Sequence, residues 1–224
     1  MSAIVRVPGV AIGVLLASSG SAVAFADPPP APSSPWFGRA GALAVFYDSS
    51  ASIATNGETL PGASATVSNN ETVTFDVGYD ITRHVAVSLM IGAPPKPTIT
   101  GVGTVASLGE LGRVRFGPVI LSGYYRFRPA AAFRPYAGLG VAYVIIFNEY
   151  DGAVEDLDVH DNWATVAQAG AEYRLSPKCD FFVDVKHLWL ALDADGFLAG
   201  GVPVAARVTL DPLLVSVGVK FRFD

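Results

Sequence analysis

Residues 213–223 alternate without a break between two kinds of side chain, and no other feature constrains the fold of this chain as tightly. Leu213, Val215, Val217, Val219, Phe221 and Phe223 fall on one face, and Leu214, Ser216, Gly218, Lys220 and Arg222 on the other. A period of two belongs to a β-strand whose faces meet different surroundings. Residues 71–81 repeat it, with Val73, Phe75, Val77, Tyr79 and Ile81 against Thr72, Thr74, Asp76, Gly78 and Asp80. In residues 163–175 the odd positions from Trp163 to Leu175 oppose Gln168, Gly170, Glu172 and Arg174. In residues 133–147, Leu139, Val141, Tyr143, Ile145 and Phe147 oppose the small Gly138, Gly140 and Ala142. Four less regular runs, 36–47, 84–91, 114–127 and 181–193, bring the expected strands to eight.

Composition decides the medium. Apolar residues make up 51% and charged residues 16%, against about 25% charged in soluble domains. Beyond the N-terminus no run offers the roughly 18 apolar residues of a membrane helix. A closed barrel is the other structure that satisfies its backbone in lipid. A soluble lipocalin-type barrel would need a polar exterior, and the apolar face here is too uniform for one. The connections 48–70, 92–112, 148–162 and 194–210 are long, while the turn at Thr82-Arg83 and residues 128–132 and 176–180 are short. Long outer loops and short inner turns are the outer-membrane pattern, with both termini on the periplasmic side. The expected fold is therefore all-β: an eight-stranded antiparallel up-and-down transmembrane barrel over residues 36–224. Outward aromatics mark its two rims: Trp163, Phe147 and Trp189 near the loops, and Tyr79, Tyr173, Phe221 and Phe223 near the turns.

Residues 1–26 read as a secretory signal, with Arg6 before an apolar stretch and Ala24-Phe25-Ala26 as the cleavage site. Residues 27–35 are a Pro-rich leader. Removing Arg6 makes the formal net charge of −5 one unit more negative, which gives no reason to expect nucleic-acid binding. Cys179 is alone and permits no intrachain disulfide.

Ser216, Gly218, Phe221 and Phe223 together resemble the C-terminal assembly signal of outer-membrane barrels. The chain departs from it by one residue, since Asp224 follows the last aromatic. The run from Phe133-Arg134-Pro135-Tyr136-Ala137-Gly138 to Tyr143 resembles the fifth strand of the OmpW family. Asp161-Asn162-Trp163 with Gln168-Ala169-Gly170 resembles its sixth, Leu210-Asp211-Pro212 the entry to its eighth, and Gly117-Pro118 to Phe127 its fourth. The resemblance covers most of the mature chain, the outer loops and leader excepted. It implies a narrow carrier of small hydrophobic molecules across the outer membrane. Some members of that family serve as bacteriocin receptors, so a structural, adhesive or phage- and bacteriocin-binding barrel acting through its loops is the alternative. The expected partners are outer-membrane lipid, lipopolysaccharide, the barrel-insertion machinery and a small hydrophobic ligand. No cofactor is expected.

Strand direction turns the inward residues into a depth profile. Near the periplasmic end lie Asp76, Asp80, Glu172, Arg174, Asp184, Lys186, Lys220 and Arg222, both signs together. An eight-stranded interior is just wide enough for side chains to fill, and isolated buried charges cost several kcal/mol. These residues are expected to form a neutralised plug. Nearer the outside the inward residues are Met90, Val144, Ile146, Leu188, Leu190 and Leu192. That apolar half-lumen is either a pocket for an apolar ligand or side chains packed on one another. His187 falls on the lipid face near mid-height. Nucleophilic catalysis needs a converging Ser, His and acid, whereas His84, His160 and His187 scatter along the chain. The acids Glu149, Asp151, Glu155, Asp156, Asp158 and Asp161 lack the spacing of a calcium loop, and read first as a solvated outer loop.

Overall fold

The computed structural model describes residues 34–223. The signal peptide, all but the last two residues of the leader, and Asp224 lie outside them. In chain order the strands are β1 (Trp36–Phe46), β2 (Ser50–Thr55), β3 (Glu58–Thr59), β4 (Ala63–Val67), β5 (Asn70–Asp80), β6 (Val85–Gly92), β7 (Thr98–Gly103) and β8 (Glu110–Arg126). They continue with β9 (Phe133–Asp151), β10 (Val154–Val159), β11 (Asn162–Arg174), β12 (Cys179–Trp189), β13 (Ala191–Leu198), β14 (Val202–Thr209) and β15 (Leu213–Arg222).

Eight of these form the barrel, in the order β1-β5-β6-β8-β9-β11-β12-β15, each antiparallel to its neighbours. Closure is between first and last, with Phe37 opposite Arg222 and Phe46 opposite Leu213. The alternation works as expected: Phe75, Val77, Leu121, Leu139 and Val217 point outward and are exposed. The residues between them are mostly buried. So wide an apolar exterior belongs in hydrocarbon rather than water. Tyr143 and Trp163 pair at one rim, ring centroids 4.9 Å apart, and Trp36 and Tyr79 at the other, 5.0 Å apart. His187 faces outward as read, but it stands third from the outer end of β12, edge-on to Trp189 and opposite Leu213. That places it in the outer aromatic belt rather than at mid-height.

The outer connections depart most from the sequence reading. Segment 48–70 holds β2, β3 and β4, segment 92–112 holds β7 and the start of β8, and segment 148–162 holds the end of β9 and β10. The run 181–193 is two strands: β12 ends at Trp189, and Ala191 opens β13, which forms a hairpin with β14. The short strands assemble a second sheet, β10-β13-β14-β2-β3, above the barrel, while β4 and β7 extend the barrel sheet along β8. Their inward residues, among them Ile53, Val154, Leu192 and Val208, share apolar cores. Burial there turns polar-looking segments into strands.

Candidate functional site

The periplasmic half of the lumen is filled by charge. Glu172 is fully buried at its centre and accepts hydrogen bonds from Arg39 Nη2 at 2.6 Å and Lys220 Nζ at 2.9 Å. The Nε atoms of Arg126 and Arg134 stand 3.4 and 3.5 Å from its second oxygen. Asp180 pairs with Arg134 at 2.6 Å and with Arg222 at 2.8 Å. Asp80 pairs with Arg126, and Asp184 with Lys186 and the Tyr136 hydroxyl. Arg39 Nη1 lies 4.0 Å from Asp76. The Arg39 guanidinium is enclosed by the rings of Phe37, Tyr124, Tyr136 and Phe182. The ring of Phe37 occupies the space that a side chain at Gly78 would need.

Of the residues predicted for this region, Asp76, Asp80, Glu172, Asp184, Lys186, Lys220 and Arg222 meet in it. Arg174 stands half-buried at the rim, without an ion pair to a described residue. Four further members, Arg39, Arg126, Arg134 and Asp180, are absent from the sequence expectation. Each sits on the inward parity of its strand; Asp180 belongs to β12 rather than to the turn 176–180. Above them lies a polar layer in which Ser122 bonds Ser88 and Gln168, dividing the charges from the outer lumen.

The upper lumen is apolar. Met90, Val144, Leu188 and Leu190 line a narrow space of about 30 Å³ with Leu43, Val45, Phe116 and Leu214. Ile146 packs beside this core, half-buried. Leu192 lies one storey higher, in a space of about 30 Å³ bounded by Val114, Phe116, Val159, Val208 and Leu210. A third space, about 60 Å³, lies between the outer sheet and the barrel extension, lined by Ile53, Leu60, Val105, Leu111, Leu198 and Val204. Neighbouring spaces share walls: Phe116 joins the lower two, and Ile99, Ala194 and Val208 the upper two.

The wall beside the lowest chamber is not fully zipped. β6 and β8 pair from Val85–Tyr125 up to Met90–Ile120, and no further. The next backbone hydrogen bond across the seam runs from the Val114 N–H to the Pro97 carbonyl, at 3.4 Å. Between them run Ile91 to Lys96 on one side and Arg115 to Val119 on the other. Pro94, Pro95, Pro97 and Pro118 carry no N–H, and proline within sheets is confined to edges and bulges. Ala93 is held from the far side instead, its N–H on Val73 and its carbonyl accepting from the Thr72 hydroxyl at 2.7 Å. The segment lies over the gap, with Pro94 against Gly117 and Lys96 Nζ 3.3 Å from the centre of the Tyr150 ring.

The remaining candidates sit elsewhere. His84 bonds the Arg126 carbonyl at a periplasmic turn, His160 is exposed beside Asp158, and His187 faces lipid. Among the loop acids, Glu149, Asp151 and Asp161 accept backbone N–H groups of the outer strands, which assigns them to loop architecture. Ser216 and Gly218 face the lumen, while Phe221 and Phe223 are exposed on the lipid side.

The family model of OmpW matches residues 36–223 of this chain. The chain is 36% identical to the dibenzothiophene metabolism operon protein PahQ of Pseudomonas aeruginosa, over 88% of this chain and 93% of that one. It is 34% identical to the outer membrane protein AlkL of Ectopseudomonas oleovorans, over 75% of this chain and 72% of the other. The crystal structure of the outer membrane protein OprG from Pseudomonas aeruginosa shares its fold, with a TM-score of 0.80 at 23% identity, covering 86% of this chain and 97% of OprG.

Proposed function

This chain belongs to the OmpW family, and on that premise we propose that it is a narrow outer-membrane conduit for small hydrophobic molecules. They enter the apolar outer lumen from outside and leave sideways into the bilayer between β6 and β8. The observation that carries this reading is the stack of apolar spaces, which ends beside an unpaired seam and above a lumen filled with ion pairs. An apolar solute moving down that stack gains burial at each step. Entering the charged half would strip ion pairs of their partners, at several kcal/mol for each. The seam offers the exit of lower free energy.

The dibenzothiophene operon to which PahQ belongs by name concerns an apolar heteroaromatic, and its likeness to this chain supports the same class of cargo. The place of action is the outer membrane of a Gram-negative cell, reached by signal-peptide export. Contacts there are lipid and lipopolysaccharide, and Phe221 and Phe223 are the handle for the insertion machinery.

Binding of a fluorescent apolar probe to refolded protein tests the proposal. Leu190→Asp puts a carboxylate in the chamber wall and is expected to weaken saturable binding about tenfold or more, while the heat-modifiable gel shift of a folded barrel remains. If wild type binds no better than an unrelated barrel, the lumen is packing alone and the loop-centred receptor reading replaces this one.

A further inference from the structure

The lowest apolar chamber has one free polar handle. Its lining contains two side-chain oxygens, those of Tyr47 and Thr72. Thr72 already donates its hydroxyl hydrogen to the Ala93 carbonyl. Tyr47 is half-buried just past the end of β1, its backbone N–H held by Asn69 at 3.0 Å and its ring edge-on to Phe116 at 6.2 Å. Both contacts fix the ring, and neither uses the hydroxyl, which makes no hydrogen bond among the described residues. A tyrosine hydroxyl in apolar surroundings usually finds a partner, and this one is left accessible, able to bond water or a molecule entering the space.

Resting on the conduit reading, we propose that Tyr47 is a specificity-determining residue, and that the chamber takes small apolar molecules carrying one neutral oxygen function, such as a hydroxyl or carbonyl, in preference to the bare hydrocarbon. The phenol can donate to a carbonyl or hydroxyl oxygen and can accept from a hydroxyl. The rest of the cargo packs on Leu43, Met90, Val144, Leu188 and Leu190. Tyr47 and the seam residues Gly117 and Pro118 line one chamber, so the polar end is held beside the exit.

The test uses naphthalene and 1-naphthol, alike in shape apart from one hydroxyl, in competition with a fluorescent apolar probe. Wild-type protein and Tyr47→Phe are measured in the same detergent. Partition of each ligand into micelles is common to both proteins, so it cancels in the ratio of ratios, as in a double-mutant cycle. The expected result is a roughly three- to tenfold fall in relative affinity for 1-naphthol, the effect of one neutral hydrogen bond, with naphthalene binding kept within about twofold. If both ligands bind but the ratio does not move, or both weaken equally, the Tyr47 assignment is wrong and the conduit reading stands. If wild type binds neither, both fail together.

Discussion

Glu172 gathers four cationic groups around one carboxylate, from β1, β8, β9 and β15, with no water-exposed atom of its own. Burying an ion pair is costly, but removing one partner from a pair already buried is costlier, because the others stay charged. Glu172→Gln keeps the shape and deletes the charge. It is expected to lower unfolding free energy by roughly 3–5 kcal/mol, read as a shift of the urea midpoint in lipid vesicles. Arg113→Ala breaks the exposed pair with Glu110 and should cost less than about 1 kcal/mol. Equal shifts for the two would mean that the network contributes no more than a surface pair. The same cluster explains what the sequence hides at this scale. Glu172, Lys220 and Arg222 are legible because the periplasmic halves of their strands, 168–174 and 216–222, keep their large apolar side chains on the outward face. Arg39 and Arg126 are not, because they are wrapped by the inward rings of Phe37, Tyr124, Tyr136 and Phe182. An aromatic cage gives the lumen face the hydropathy of the lipid face, and the alternation fades where the cage is built.

Among the elements, the seam between β6 and β8 is the one whose chemistry differs from its surroundings. Pro94, Pro95, Pro97 and Pro118 remove donors from both edges, so the strands cannot zip there even when they touch. A covalent tie can hold them shut. An ideal Cβ at Gly117 stands 3.7 Å from Pro94 Cβ, close to the roughly 3.8 Å between the Cβ atoms of a disulfide. Pro94→Cys with Gly117→Cys, in a Cys179→Ser background, should form a bond that abolishes uptake of an apolar probe by cells and restores it on reduction. Uptake indifferent to the bond would place the exit elsewhere. The proline pattern stands in the sequence within segment 92–112, but proline reads there as loop, and which strand it would leave unpaired depends on register. The outer strands are less legible still. Their hairpin turns do announce themselves, Asn56-Gly57 and Gly200-Gly201 all adopting positive φ, the backbone that such two-residue turns demand. Yet β2 to β4 and β14 alternate only weakly, since their apolar side packs on neighbouring loops instead of lipid, and serine, threonine and alanine fill the rest. A period set by a membrane is easier to read than one set by a few contacts between loops.

Taken whole, the molecule has two unlike halves of its lumen in series: one apolar and lying beneath the loop sheet, the other polar and packed with paired charges. Their order separates two routes that a static barrel could offer. An axial route would require the plug to part; a lateral one requires only the seam to open. The two are distinguished by loosening the plug while leaving the wall alone. Arg134 and Asp180 pair at 2.6 Å on the periplasmic side, one acid and one base, so replacing both by alanine removes volume without adding net charge. Arg222 loses a partner by this, but it lies at the rim, where water can reach it, and Glu172 keeps three of its four cations. The double variant should admit small ions, seen as conductance steps in planar bilayers where the wild type shows none, since the lower lumen is then filled less tightly. Uptake of an apolar probe should stay within about twofold of wild type, because an apolar molecule gains nothing from a wider polar passage. Conductance and uptake rising together would make the plug the gate, and the lateral route would have to be given up. Conductance rising alone would leave the charged half its one role, that of a stopper which turns apolar cargo sideways.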